Sequence, residues 1–242
     1  MLFRSSETRH YFPGFKQDDV YYTMAGLRPL VAAEKRVESN TSRAHKLIDH
    51  EQRDGIKGFV SVLGGKITAY RAVAEEALDL ICRKLGRQVR CSTASTPLPG
   101  APAPQMSTLE QAARSSGLPV ATLTHLASIY GSRFSAVLDY VREDQRLGQP
   151  VSSCCRDILA QIKHSVIEEE ALTIGDFLLR RGTTGFMSSQ GLDAVETVAR
   201  EMAALLEWSD RERQNQIAAY RASANLGRRF TKQANDVSPL EI

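Results

Sequence analysis

The sequence predicts an α+β chain in which short antiparallel strands and one helix precede an all-α C-terminal domain. Three observations lead to this fold class. Short apolar runs in the first part alternate with turn residues, apolar residues in the second part recur at helical spacing, and a proline-rich stretch separates the two patterns. At 242 residues, with 42% hydrophobic and 24% charged residues, the chain is long enough for the core of one large or two ordinary domains.

Three segments of the first part are predicted to be strands: residues 20–31, 44–50 and 56–63. A turn at Asp54-Gly55 precedes the third, and the short connections favour antiparallel pairing. A helix over residues 68–85 should follow, because its apolar residues keep the i, i+3, i+4 spacing and Gly86 lies where a helix would end.

A proline-rich stretch then divides the chain. Residues 91–105 hold four of the nine prolines and fit neither a helix nor a central strand. We therefore predict a first domain over residues 1–94, a linker over 95–106 and a helical domain over 107–242.

Local signals predict where several helices of the second domain begin. Ser107, Thr173 and Ser209 are each followed three residues later by an acid, which is the spacing of a capping box. A longer helix is expected from residue 151 to about residue 171, and an apolar stripe over 192–206 predicts another.

Composition excludes several classes of function. The formal net charge of +3 is too small, and Lys and Arg are too scattered, to predict nucleic-acid binding. No apolar run approaches the roughly 18 residues of a membrane span, and no signal peptide opens the sequence. The four cysteines lack metal-ligand spacing, which favours reduced thiols. We therefore expect no nucleic-acid partner, no metal site and a cytoplasmic location.

The most informative local pattern is GGKITAYR, residues 64–71. Two glycines between an apolar run and a helix leave outward-facing backbone N–H groups uncovered, and Lys66 adds a full positive charge at the helix N-terminus. A nucleotide P-loop is excluded, because Val60 and Ile67 occupy the positions where that motif requires Gly and Ser or Thr. The pattern predicts a site for a negatively charged or electron-rich ligand.

The sequence resembles FAD-dependent glycerol-3-phosphate dehydrogenases in two ordered motifs and in its second domain. MAGLRPL at residues 24–30 and GGKITAYRAVAEEA at residues 64–77 are similar to the end of that family's flavin domain. The segment from residue 168 to 181, with EEEA and DFLLRR, is similar to its C-terminal helical domain. The resemblance implies that residues 1–94 are the C-terminal remnant of an FAD- and substrate-binding domain.

The resemblance also implies roles for single residues. Arg28 matches the family's arginine that contacts the phosphate of glycerol 3-phosphate, and the proline after it holds Arg28 in an extended geometry. From spacing alone, a surface arginine paired with an acid would be the better interpretation. Lys66 is expected near the substrate and the flavin pyrimidine edge, where positive charge stabilises reduced flavin. The expected cofactor contacts come from Gly64, Gly65, Lys66, Ile67 and Thr68. Ala69 stands where the family usually has Thr.

The remaining charged residues have ordinary interpretations. Arg71 and Glu75 are four residues apart on the predicted helix, so an ion pair is expected. Arg180 and Arg181 suit a helix C-terminus, where acids such as Glu168 would pair with them. None of the five histidines has a ligand set that predicts a catalytic or metal role.

Two functions of different classes remain open. The first is the C-terminal part of an FAD-dependent glycerol-3-phosphate dehydrogenase, which passes electrons to a quinone or to oxygen. No G-x-G-x-x-G turn occurs in these 242 residues, so this part should need the missing N-terminal flavin-binding half and be inactive alone, with no catalytic residue of its own. The second is a helical interaction module. Peripheral attachment to the inner face of the cytoplasmic membrane and a homo-oligomeric state are also left open.

Overall fold

The structure is a computed structural model that describes residues 2–24, 26 and 44–228. Its contacts divide the chain into two compact units. We call Ala25–Leu98 the sheet unit, and Met1–Met24 together with Pro99–Ile242 the helical unit. This division groups the first 24 residues with the helical unit, while the domain boundaries at residues 94 and 107 stay predictions.

Within the described residues the elements in chain order are α1 (Leu2–Tyr11), β1 (Lys46–Asp49), α2 (His50–Asp54), β2 (Val60–Leu63), α3 (Tyr70–Lys84), α4 (Met106–Ser116), α5 (Val120–Tyr130), α6 (Phe134–Glu143), α7 (Leu159–Glu169), α8 (Ile174–Asp176), α9 (Val195–Leu206) and α10 (Asp210–Gly227). The α+β prediction is confirmed: the chain is mostly helical and carries a two-stranded antiparallel sheet. None of the helices in these ranges is both long and apolar enough to cross a membrane.

The sheet unit is organised around a hairpin. β1 pairs antiparallel with β2, from Lys46 opposite Leu63 to Asp49 opposite Val60, which confirms two of the three predicted strands. The Asp49 carboxylate accepts a hydrogen bond from the Glu51 N–H at 3.1 Å and so begins α2. That helix ends at Gly55, whose φ of +74° is the left-handed conformation favoured by glycine.

The first predicted strand is wrong where the structure tests it. Residues 20–24 form no strand, and residues 27–31 lie outside the described part. Instead the Thr23 N–H donates to the Gly227 carbonyl at 2.8 Å, and the Tyr22 ring lies 6.3 Å from that of Phe186. The aromatic pattern therefore reflects packing of this segment on the helical unit and not pairing with another strand.

The helical unit has its own apolar core. Its largest fully buried apolar side chains are Leu123, Leu126, Val137, Leu138, Ile158, Ile162, Ile174, Phe177, Leu178, Met202 and Ile217. Most of them come from α5, α6, α7, α9 and α10, each of which carries apolar residues at i, i+3 and i+4 on one face. The others come from Ile158, just before α7, and from residues 174–178, which include α8 and the first residues after it. The apolar stripe predicted over 192–206 is confirmed, since Val195, Val198, Ala199 and Met202 of α9 are all buried.

Two of the three predicted capping residues begin helices. The Thr173 hydroxyl accepts from the Asp176 N–H at 3.1 Å, and the Ser209 hydroxyl accepts from the Glu212 N–H at 3.2 Å. The third prediction is wrong: α4 begins at Met106, so that Ser107 already lies inside the first turn. An isolated Ser-x-x-Glu pattern fits the first turn as well as the cap, since both positions favour these residues.

The helix predicted from residue 151 begins eight residues later, at Leu159. Residues 150–158 instead form a loop that folds back on itself. The Val151 N–H donates to the Asp157 carbonyl at 2.8 Å, and the Leu159 N–H donates to the Gln149 carbonyl at 3.0 Å. The loop buries Asp157 completely.

Asp157 is the most highly coordinated carboxylate of the helical unit's described residues. It accepts from His125 Nε2 at 2.7 Å, from the Thr183 N–H at 2.7 Å, and from the N–H and hydroxyl of Thr184 at 2.8 and 2.7 Å. Burial by itself raises the pKa of this carboxyl, but the hydrogen bonds from His125, Thr184 and Thr183 outweigh it and lower the pKa to about 2. One ionised side chain therefore joins α5, the loop before α7 and the segment after α8.

The proline-rich stretch, residues 91–105, contains the boundary between the two units and forms neither helix nor strand. The Gly100 carbonyl accepts from the Ser132 N–H at 2.7 Å, in the turn between α5 and α6. We expect limited proteolysis to cut first between residues 95 and 105, because this part has no helix or strand pairing, and to leave a helical fragment beginning near Met106. Mass spectrometry of the early fragments checks this. Cleavage mainly inside residues 151–224, with this stretch intact, contradicts the predicted division.

Candidate functional site

The glycine loop, residues 64–66, connects β2 to the helix that follows. Gly64 and Gly65 have φ values of +67° and +97°, which residues with a side chain rarely adopt. Lys66 returns to extended geometry, and one short turn over Ile67–Ala69 leads into α3. Because the first N–H groups of a helix have no intrahelical acceptor, the backbone here offers donors towards a ligand.

The glycine loop forms one wall of a cavity of about 340 Å³. The cavity is lined by Val62, Gly64, Gly65, Lys66, Ile67, Tyr70, Val73, Ala74 and Ala77. Four of the five predicted cofactor contacts are therefore brought together, while Thr68 is not a lining residue. The lining is apolar on the α3 side and polar at the glycine loop, which suits a flat, largely apolar ligand with a polar edge.

Lys66 supplies the positive charge of this cavity. Within the described residues no carboxylate lies within ion-pair distance of its ammonium group, whereas Lys84 of the same unit pairs with Asp49 at 2.8 Å and with Glu51 at 2.6 Å. The Lys66 charge is therefore not neutralised by the described part of the sheet unit and stays available for an anionic group.

Arg28 lies outside the described residues, so its predicted convergence with Lys66 on one site is not tested by the structure.

The sheet unit has no apolar core of its own among its described residues. His50 is its one buried side chain there. Its exposed large apolar side chains are Ile56, Phe59, Val62, Leu63, Ile67, Tyr70, Leu78, Ile81, Leu85, Val89 and Leu98. An exposed apolar surface of this kind is typical of a site that another domain or chain covers. Val62, Ile67 and Tyr70 also line the cavity, which therefore opens on the apolar surface.

His50 follows β1 directly and connects the two strands of the hairpin through its side chain. His50 has its ring nitrogens 2.5 Å from an Asp54 carboxylate oxygen and 2.8 Å from the Ser61 hydroxyl, and it stacks on Phe59 with ring centroids 4.3 Å apart. The short contacts hold the Asp54 carboxyl ionised: Arg53 and then His50 lower its pKa to about 2. Asp54 is a local partner, four residues along in α2, whereas Ser61 and Phe59 are brought to His50 by the hairpin, which no local sequence pattern predicts.

The predicted ion pair between Arg71 and Glu75 is absent from the described residues. Arg71 instead donates to the backbone carbonyls of Thr93 and, at 2.8 Å, of Thr96. A guanidinium can donate to two backbone carbonyls at once, and these two hydrogen bonds take the place of the weak i, i+4 ion pair with Glu75. Arg71 therefore ties the proline-rich stretch to α3.

The paired arginines after α8 pair with acids, as predicted, although Glu168 is not one of them. Arg180 pairs with Asp176 at 2.9 Å, four residues earlier. Arg181 lies 4.0 Å from the Glu169 carboxylate and donates to the Glu169 carbonyl at 2.8 Å, so it joins this segment to the end of α7. No group of three metal-ligating side chains occurs in the described part of the chain.

Comparison with known proteins places these features in a class. Residues 91–213 match the family described as the C-terminal domain of alpha-glycerophosphate oxidase. The helical unit therefore has the fold type of a flavin enzyme's C-terminal domain. The chain belongs to the glycerol-3-phosphate oxidase/dehydrogenase family.

Individual relatives extend the match beyond that domain. A glycerol-3-phosphate dehydrogenase from Synechocystis is 33% identical over 221 residues, which cover 89% of this chain and 40% of the relative. One chain of the anaerobic glycerol-3-phosphate dehydrogenase from Haemophilus influenzae is 34% identical over 191 residues, or 78% of this chain and 32% of the relative.

A solved structure agrees with these matches. The glycerol-3-phosphate dehydrogenase from Bacillus halodurans, complexed with FAD, is 26% identical with a TM-score of 0.55, over 69% of this chain and 35% of that one. The chain thus spans about a third to two fifths of the length of the relatives it matches.

Proposed function

We propose that this chain supplies the Lys66 side of the flavin and substrate site of an FAD-dependent glycerol-3-phosphate dehydrogenase, which oxidises sn-glycerol 3-phosphate to dihydroxyacetone phosphate. The observation that carries the proposal is the cavity at the glycine loop, with Lys66 at its polar edge and unpaired within the described residues, in a chain of this family. Residues 1–94 would belong to the FAD- and substrate-binding domain, residues 95–106 to a linker and residues 107–242 to the helical domain.

The chemistry of the cavity fits FAD. Gly64 and Gly65 allow close approach of a flat ring to the backbone, and Val73, Ala74 and Ala77 offer it an apolar wall. When bound, FAD supplies the acceptor for the hydride that leaves C2 of the substrate. The positive charge of Lys66 at the polar edge would stabilise the negative charge that this transfer creates.

Arg28 is proposed to bind the phosphate of glycerol 3-phosphate. Pro29 disfavours helical geometry at Arg28, so the sequence predicts extended backbone there, and the planar fork of a guanidinium suits two phosphate oxygens. Together Arg28 and Lys66 would hold the substrate and its phosphate without a catalytic acid or base from this chain.

We also propose that electrons leave to a quinone, since the relatives are named dehydrogenases, with oxygen as the alternative that the oxidase branch of the family represents. A cytoplasmic location, with peripheral attachment to the inner face of the membrane, is consistent with a membrane quinone as acceptor.

The 242-residue chain by itself is expected to bind no stoichiometric FAD. Its sequence contains no G-x-G-x-x-G turn, so the FAD pyrophosphate finds no dinucleotide-binding helix N-terminus here. Absorbance near the flavin bands after gel filtration checks this, and a yellow protein at one flavin per chain contradicts it.

The proposal is tested by replacing the matched segment of the Synechocystis relative with this chain. The joined protein should be yellow and should reduce a quinone analogue when glycerol 3-phosphate is added, while the helical interaction module predicts a colourless or inert product. Lys57, an exposed lysine of the same unit with no ion-pair partner among the described residues, provides the matched control. Lys57→Ala should leave activity unchanged, whereas equal losses in Lys57→Ala and Lys66→Ala contradict the assigned site.

A further inference from the structure

His45 stands immediately before β1, next to the glycine loop. A Cβ built on Gly65 would lie 3.2 Å from the His45 Cβ, closer than such atoms normally approach, so the loop lies directly on this residue. The contact follows from the hairpin register, because Lys46 pairs with Leu63 and the two residues beyond them are His45 and Gly64.

The imidazole of His45 reaches in the other direction, to α3. Its Nε2 lies 2.7 Å from the Glu76 Oε2, across 31 positions of sequence. Val73, Ala74 and Ala77, the neighbours of Glu76 on the same helix, line the cavity at the glycine loop. His45 therefore lies beside the loop, close to where a side chain on Gly65 would be, and is hydrogen-bonded to the helix that forms the other wall of the cavity.

We propose that His45 is a positioning residue for the glycine loop: it fixes the loop that carries Lys66 relative to α3 through its contacts with Gly65 and Glu76. The structural part of this proposal does not depend on a bound ligand. The consequence for flavin and substrate binding rests on the proposed function. Lys66 itself has no ion pair within the described residues, so its placement depends on the backbone of the loop and on what that backbone lies against.

The hydrogen bond between His45 and Glu76 adds little to global stability, because the Glu76 side chain is 57% exposed. The expected effect is therefore local. Removing the pair should increase motion of residues 64–67 and leave the strands β1 and β2 ordered.

Backbone ¹⁵N relaxation of the 242-residue chain measures this without flavin or substrate. Order parameters of residues 64–67 should fall from about 0.8 to below about 0.6 in His45→Ala and in Glu76→Ala, since each variant removes the hydrogen bond. Glu75→Ala is the matched control, since Glu75 is the adjacent acid of α3 and has no ion pair in the described ranges. It should leave the loop unchanged.

The conservative variant His45→Gln should keep the order parameters of the parent chain, because its amide can donate to the Glu76 carboxylate. If His45→Ala also disorders β1, the Glu76→Ala variant decides, since it leaves β1 intact. Unchanged order parameters in Glu76→Ala, or a His45→Gln loop as mobile as that of His45→Ala, overturn the proposal. Neither result bears on whether the joined enzyme oxidises glycerol 3-phosphate, so the two proposals fail separately.

Discussion

Replacing Asp157 with asparagine is expected to lower the free energy of unfolding of the helical unit by about 3–5 kcal/mol, the range for breaking a buried charged network. Both carboxylate oxygens accept hydrogen bonds: one from His125, the other from the N–H groups of Thr183 and Thr184. With its amide NH₂ towards Thr183 and Thr184, asparagine would leave their N–H groups without an acceptor. In the other orientation the NH₂ would face the Gln161 amide nitrogen, which also donates, and in both orientations the negative charge that these donors surround is lost.

Urea denaturation followed by circular dichroism measures the loss. The matched control is Asp139→Asn, which removes an exposed carboxylate of α6 that pairs only with the exposed Arg142 among the described residues. Such a pair contributes about 0–1 kcal/mol, so this variant should unfold close to the parent chain. Equal stability of the two variants shows that Asp157 does not hold the helical unit together.

The same carboxylate predicts how stability depends on pH. Its pKa falls from 3.8 to about 2 in the folded chain, so the ionised form favours the folded state. This contribution, about 2 kcal/mol by linkage, is fully present above about pH 4 and is lost as the pH falls towards about 2. The parent chain should therefore lose more stability between those values than Asp157→Asn, and parallel acid profiles contradict the assignment.

Sequence patterns predict those elements whose signals are local. The hairpin, α3 and α9 follow from apolar spacing, and the starts of α8 and α10 from Thr173 and Ser209, because each signal lies within one turn or one strand. The loop before α7 is predicted wrongly as helix, since its pairing of Val151 with Asp157 and burial of the carboxylate depend on Thr183 and Thr184, some 26 positions away.

The candidate site divides in the same way. Gly64, Gly65 and Lys66 can be recognised in the sequence as a candidate ligand site. A glycine pair followed by a lysine at a helix start predicts such a site from neighbouring residues alone. His45 and His50 cannot, since a histidine acquires its role from its partners, and Glu76 and Ser61 reach these two only through the hairpin and α3. Local sequence patterns likewise do not identify the partner that covers the apolar surface.

In the joined enzyme, Lys66→Ala and Arg28→Ala are expected to reduce kcat/KM in two different ways. Arg28→Ala should mainly raise KM for glycerol 3-phosphate, because the proposed function gives Arg28 a charge-assisted phosphate contact in the ground state as well as in the transition state. A loss of about 1.5–3 kcal/mol corresponds to a roughly ten- to hundredfold lower kcat/KM.

Lys66→Ala should instead lower kcat, since its charge matters most when negative charge develops on the flavin side of the site. Steady-state kinetics with varied glycerol 3-phosphate separates the two effects, with Lys57→Ala and Arg90→Ala as exposed controls of the same charges. A rise in KM alone for Lys66→Ala would place that lysine on the phosphate and not at the flavin. Unchanged kinetics in both variants would show that neither Arg28 nor Lys66 binds the substrate or the flavin. The Lys66 charge, which has no ion-pair partner within the described residues, would then stabilise no anion during the reaction.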